Sequence, residues 1–83
     1  MLLVTHIKNN GTVLAFLIGE RIYDCHVADG RLPESPELFL AHCERYKAIA
    51  LFVDNALQTG RLKATFIEIG EAKDIKALVW PEM

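Results

Sequence analysis

Two tight-turn signals join three short apolar segments near the start of the chain, and they constrain the fold more than any other feature. Residues 2–7 are apolar and β-prone, Asn10-Gly11 is a strong hairpin signal because both residue types tolerate positive φ, and residues 12–18 resume the apolar pattern. Gly19-Glu20 suits a second two-residue turn, and residues 21–27 then alternate. The segment predicts a three-stranded antiparallel meander.

A helix start is marked at residues 35–37. Ser35 can accept hydrogen bonds from the first free N–H groups, Pro36 fits the first helical position, and Glu37 complements the positive end of the dipole. Apolar residues then recur at helical spacing until Gly60 offers a left-handed stop, at Phe39, Tyr46, Ile49, Val53, Ala56 and Leu57. A helix of about 24 residues spans roughly 36 Å, whereas strands of six or seven residues span about 20–24 Å. Such a helix overhangs its sheet unless it bends or breaks.

The remaining residues predict one or two further strands. Residues 64–69 alternate and are β-branched, residues 70–73 read as a polar turn, and residues 75–80 form a last strand that Pro81 ends. The expected fold is a single α+β domain over residues 1–83 with βββαβ(β) order. It has an antiparallel sheet of four or five strands and one long helix packed on one face.

Charge and apolar run length argue against two classes of function. Eleven acidic and nine basic residues give a net charge of −2 and no basic stripe, so nucleic-acid binding is disfavoured. The longest apolar runs, at residues 13–18 and 48–53, are far shorter than the roughly 20 residues of a membrane helix. No secretory signal is recognised at the N-terminus, so we expect a cytoplasmic location, in which Cys25 and Cys43 stay free.

Strand register assigns the side chains of the meander to two faces, and one of these is expected to hold the core beneath the helix. The other face contains Leu2, Val4, His6, Val13, Ala15, Leu17, Ile22, Asp24 and His26. Most of these residues are apolar, although this face meets water in a two-layer monomer. Because monomers rarely expose a large apolar patch, the second face predicts a partner surface.

Two leucines of the predicted helix, Leu40 and Leu51, fall among its polar residues and add to this expectation. The predicted interface comprises Val4, Val13, Leu17, Ile22, Leu40 and Leu51. A symmetric homodimer is the simplest assembly. The sequence thus favours a small non-catalytic protein-interaction module without a cofactor. A small inhibitor or regulatory protein that binds a larger protein is the alternative, and would use the same surface.

His6, Asp24 and His26 on the second face raise a different possibility. Two imidazoles and a carboxylate suit zinc or iron, and an aspartate beside a histidine can set its tautomer for acid–base chemistry. However, the strand that contains Ala15 separates His6 from Asp24 by about 9.6 Å at the backbone. A polar edge on an apolar patch is therefore the favoured interpretation, and we predict no metal or catalytic residue.

The strand and helix positions of Cys25 and His42 would allow the two residues to meet where the helix packs on the sheet. A thiol beside an imidazole is the arrangement that activates a cysteine nucleophile. The favoured interpretation is a buried small hydrophobic residue beside a core histidine, because no opening to solvent is predicted there.

Three sequence segments resemble a known family. Residues 19–24 (GERIYD), residues 32–35 (LPES) before the helix, and residues 74–81 (DIKALVWP) look like the small N-terminal domain of fumarylacetoacetate-hydrolase-family proteins. In that family the metal-binding carboxylates and the active-site histidine lie in a catalytic domain that this chain lacks. The resemblance implies an accessory or free-standing relative of a non-catalytic domain and transfers no site residue.

Overall fold

An antiparallel five-stranded sheet carries the helices on one face in the computed structural model, which describes residues 1–78. The elements are β1 (Leu3–Lys8), β2 (Gly11–Ile18), β3 (Arg21–Asp24), α1 (Cys25–Ala28), α2 (Pro36–Ala41), α3 (Cys43–Gln58), β4 (Ile67–Glu68), a 3₁₀ turn (Ile69–Glu71) and β5 (Lys73–Ala77). The predicted α+β class, the meander and its antiparallel sheet are confirmed. The end of the last predicted strand, at residues 79–80, and Pro81 lie outside the described residues.

The two hairpin turns determine which side chains share a face. The first turn is formed by Asn9 and Asn10, both with positive φ, and Lys8 pairs with Gly11. The sequence predicted the turn at Asn10-Gly11, one residue later. That turn would shift the β2 partner of each β1 residue by two positions. Because side chains alternate with a period of two, that error leaves the face assignment unchanged. Gly19 also has positive φ at the second turn, as predicted.

The predicted long helix is broken at His42, which separates α2 from α3. Ser35 caps α2 by accepting a hydrogen bond from the Leu38 N–H, as its position predicts. His42 has non-helical dihedral angles (φ −129°, ψ 42°), and α3 begins after it. A 16-residue α3 is about 24 Å long, so it matches the strands and does not overhang them.

One face of the sheet packs against the helices and forms the main core. Its buried members are Leu3, Leu14, Phe16, Cys25, Leu32, Phe39, Cys43, Ala50, Val53 and Leu57. The members from the strands, α2 and α3 are the inward residues of those elements, as the two periodicities predict, whereas Cys25 belongs to α1 and Leu32 to the loop after it. The helices therefore lie on the face that the sequence assigned to the core.

The second face of the sheet is closed by the C-terminal strands. β4 pairs with β3 and β5 pairs with β1, so the two additions lie at opposite edges. In a flat sheet these edges would stand about 19 Å apart. Only residues 69–72 connect them, and a 3₁₀ turn within that connection advances about 2 Å per residue. The sheet must therefore curl toward its second face.

The expectation of an open second face is therefore wrong. Val4, Ala15 and Ile22 form a second buried cluster, and Leu17, Ala72 and Ile75 pack against it. Val4, Val13 and Ile22 are 2%, 4% and 1% exposed, and Leu17 is half-buried. The sequence pattern marked these residues as apolar but did not show that the chain returns to cover them.

The third strand is shorter than expected. β3 ends at Asp24, and Cys25–Ala28 forms one helical turn. His26 and Val27 therefore leave the sheet, and both are exposed. Over residues 1–78, no helix combines the length and apolar character needed to cross a membrane.

Candidate functional site

A cleft of about 400 Å³ opens on the second face of the curled sheet. Polar residues from β1 and β3 line one part of it, and apolar residues before and within β4 line another. Lining residues important for its chemistry are His6, Lys8, Asp24, Val27, Phe66 and Ile67. The cleft therefore combines a charged part with an apolar wall, which is typical of small-molecule sites.

His6 and Asp24 are in direct contact in this cleft. The distance from His6 Nε2 to Asp24 Oδ1 is 2.6 Å, and the His6 side chain is 2% exposed. Because an ionised carboxylate can only accept, Nε2–H is the donor in this bond. The separation inferred from a flat sheet suggested that the two side chains would remain apart, and the structure brings them together.

Strand curvature and the small side chain of Ala15 explain this contact. Asp24 is paired with Ala15, whereas His6 is paired with Val13, so β2 lies between the two polar residues. The curl tilts side chains on the second face toward each other. Ala15 contributes only a methyl group beneath them, so the imidazole and the carboxylate can meet above β2.

Lys8 completes a three-residue polar chain. Its Nζ donates to Asp24 Oδ2 over 2.9 Å, so both carboxylate oxygens of Asp24 are engaged. The hydrogen bond to Asp24, and then the charge of that carboxylate, raises the pKa of Lys8 above its ordinary value. The lysine side chain is 49% exposed, against 16% for Asp24. The ammonium therefore lies at the rim and the carboxylate deeper.

The second nitrogen of His6 has no hydrogen-bond partner. Nδ1 is buried, and with Nε2 protonated it is an acceptor without a donor. Leaving a buried polar atom unpaired costs about 1–3 kcal/mol. Because Nδ1 does not reach solvent, it is not placed to exchange a proton with a molecule in the cleft. The geometry therefore supports a positioning role for His6, which holds Asp24.

His26 does not join this site. Its Nδ1 donates to the Leu32 carbonyl oxygen over 2.9 Å, in the loop after α1. The predicted trio of His6, Asp24 and His26 is thus split, because β3 ends before residue 26. Within residues 1–78, no group of three or more His, Cys, Asp or Glu side chains is placed to hold a metal ion.

The expectation that His42 lies in the core, where Cys25 could meet it, is wrong. Cys25 is buried in the main core, whereas His42 is exposed at the break between α2 and α3. His42 contacts the Tyr46 ring edge-on instead. Burial, followed by the negative charge of Asp24, raises the pKa of the Cys25 thiol far above its ordinary range. Cys25 is therefore a packing residue with little thiolate character.

The helical layer carries the predicted interface residues that remain exposed. Leu40 on α2 is 38% exposed, and Leu51 on α3 is 45% exposed. Sequence reasoning missed Phe52, which is 64% exposed beside Leu51. The available signal was the helical spacing, because Phe52 does not belong to the predicted inward stripe that contains Ile49, Val53 and Ala56.

Comparisons with known proteins found no match, whether to a protein-family model, a curated protein or a solved structure. The resemblance to the fumarylacetoacetate-hydrolase N-terminal domain stays a prediction.

Proposed function

We propose that the chain is a non-catalytic protein-interaction module that forms a homodimer through the outer face of α3. The observation that carries this proposal is the adjacent pair Leu51 and Phe52, 45% and 64% exposed on a helix whose opposite face is buried. We refer to Ala48, Leu51 and Phe52 as the α3 stripe. It replaces the sheet face as the predicted contact surface.

Burial of the α3 stripe provides the driving force for association. Full burial of a leucine or phenylalanine side chain contributes about 1.5–3 kcal/mol. Aromatic residues near the centre of an interface often dominate its energy. Leu40, close by in sequence on α2, would extend the contact. The exposed Leu40, Leu51 and Phe52 therefore support an interface in the layer formed by α2 and α3.

Charge placement on α3 is compatible with a second copy of this chain as the partner. A two-fold axis that crosses α3 between Leu51 and Phe52 would pair these residues across antiparallel helices. The same axis would place Arg45 opposite Gln58 and Glu44 opposite Thr59. No like charges would then face each other along the helix pair. A homodimer is therefore electrostatically permitted in this arrangement.

Two further considerations support the proposed role. The resemblance to the fumarylacetoacetate-hydrolase N-terminal domain implies a non-catalytic accessory domain, which agrees with a module that acts by association. Cys25 and Cys43 are both free and buried, which supports a location in the reducing cytoplasm. An inhibitory or regulatory protein would use the α3 stripe on a larger partner and would then be a monomer alone.

Replacement of Leu51 by lysine is expected to convert the dimer to a monomer. The charge would lie in the contact and be desolvated on association, which weakens binding by about 2–5 kcal/mol. Sedimentation equilibrium over a wide concentration range measures the effect. Leu2→Lys is the matched control, because Leu2 is 48% exposed and lies outside the α3 stripe. The control is expected to remain dimeric.

Two results would overturn the homodimer proposal. One is a wild-type protein that stays monomeric up to about 1 mM, which corresponds to binding weaker than roughly 4 kcal/mol. The other is a Leu51→Lys protein that dimerises as strongly as Leu2→Lys. Circular dichroism of both variants checks that the fold is intact.

A further inference from the structure

We infer that the cleft beside His6, Lys8 and Asp24 binds a small amphipathic molecule of zero net charge, of which an apolar α-amino acid is the simplest example. The inference is independent of the homodimer, because the cleft lies on the sheet face opposite the helices. It rests on the apolar lining of the cleft and on the paired charges of Lys8 and Asp24.

The apolar wall is suited to a hydrophobic side chain. Val27, Phe66 and Ile67 line the cleft and are 52%, 41% and 37% exposed. The Phe66 ring is held from outside the cleft by Arg21, whose guanidinium carbon is 4.3 Å from the ring centroid. Tyr23 contacts the same ring at 5.5 Å between centroids. These contacts hold the Phe66 ring on the side of Tyr23, so Val27 and Ile67 are the apolar side chains open to a ligand.

The polar part of the cleft offers a donor and an acceptor side by side. Lys8 uses one N–H on Asp24 and keeps two for another acceptor. The Asp24 carboxylate keeps lone pairs beyond its bonds to His6 and Lys8. A carboxylate that binds Lys8 and an ammonium that binds Asp24 would satisfy both. A zwitterionic α-amino acid carries these groups on one carbon atom.

Charge balance argues against a ligand with a net charge. Lys8 and Lys73 among the lining residues are basic, and Asp24 and Glu71 are acidic. The cleft is therefore neutral in sum, with the Asp24 charge already matched by Lys8. A ligand with a net charge would lose its water on binding, and the cleft has no excess of opposite charge to compensate for that loss. A zwitterion has no net charge, so the summed charge of the cleft stays at zero when it binds.

Three related compounds test the inference on the wild-type protein. L-phenylalanine carries both charged groups, 3-phenylpropionate lacks the ammonium, and phenethylamine lacks the carboxylate. We expect L-phenylalanine to cause saturable NMR shift changes at His6, Ile22 and Phe66. We expect the two other compounds to bind at least about tenfold more weakly, because each loses a charge-assisted hydrogen bond.

A pair of lysine variants provides the matched control. Lys8→Met keeps the length of an exposed side chain but removes the ammonium, and we expect it to weaken L-phenylalanine binding about tenfold or more. Lys63→Met removes an exposed lysine outside the cleft and should leave binding unchanged. Thermal unfolding of each variant confirms that the fold is retained.

Three outcomes would overturn the inference. The first is the absence of saturable shifts with L-phenylalanine up to about 10 mM, well above the range of a specific site. The second is equal binding of 3-phenylpropionate, which would indicate a site for anions. The third is unchanged binding by Lys8→Met, which would locate the contact elsewhere.

Discussion

Replacement of Ile22 by lysine is expected to unfold the protein. Ile22 is 1% exposed and packs with Val4 and Ala15 beneath the C-terminal strands. An unpaired charge forced into this cluster costs several kcal/mol. The whole stability of a chain of this length is about 4–12 kcal/mol. Far-ultraviolet circular dichroism and urea unfolding would therefore show loss of the folded state at 25 °C.

Ile22→Val is the control for this variant. It removes one methylene and is expected to cost about 0.5–1.5 kcal/mol without unfolding the chain. The contrary result is an Ile22→Lys protein that stays folded but loses its dimer. That result would restore the sheet face as the contact surface and contradict the closure by β4 and β5.

Asp24→Ala is expected to destabilise the fold by about 2–3 kcal/mol, because it removes the partner of a buried ring and leaves both nitrogens of His6 unpaired. The bond from Lys8 is lost as well, although that lysine is half-exposed and contributes little. Urea unfolding of wild type and variant measures the difference in the free energy of unfolding.

Asp29→Ala is the matched comparison for the Asp24 variant. Asp29 is also an ion-paired aspartate, but its partner Arg31 is largely exposed. Exposed pairs contribute about 0–1 kcal/mol, so the loss should be smaller. If the two alanine variants were equally destabilised, the buried contact between His6 and Asp24 would contribute no more to the free energy of unfolding than the exposed pair of Asp29 and Arg31.

The sequence predicted the parts of the fold that depend on local signals. The two turns, the alternation of the strands and the cap at Ser35 each act over a few residues, and the structure contains all three. The assignment of side chains to the two faces is correct despite the one-residue error at the first turn. The error shifts the pairing by two residues, and side chains alternate between faces with a period of two. Local patterns therefore defined the meander and the main core.

The curl of the sheet was not predictable in this way. It depends on the pairing of β5 with β1, more than 60 residues apart in the chain, and on the short connection from β4. No local pattern encodes such a pairing. The same sequence that marked Val4 and Ile22 as apolar could not indicate whether a partner or the chain itself would cover them.

The sequence predicted only part of the candidate site. His6 and Asp24 were placed on one face, but flat-sheet spacing kept them apart, and only the curl above Ala15 brings them to 2.6 Å. His26 was misplaced because nothing in the alternation of residues 21–27 showed that β3 ends at Asp24. Lys8 was missed because it lies at the end of β1.

Isotope-filtered NOE spectroscopy on a dimer of labelled and unlabelled chains distinguishes the α3 stripe from the sheet face as the contact surface. It reports proton contacts between the two copies and assigns them to residues. We expect intermolecular contacts between the Leu51 methyl groups and the Phe52 ring, and none at Val4 or Ile22. Intermolecular contacts at Val4 or Ile22, with none at Leu51 and Phe52, would show that the dimer forms through the sheet face instead.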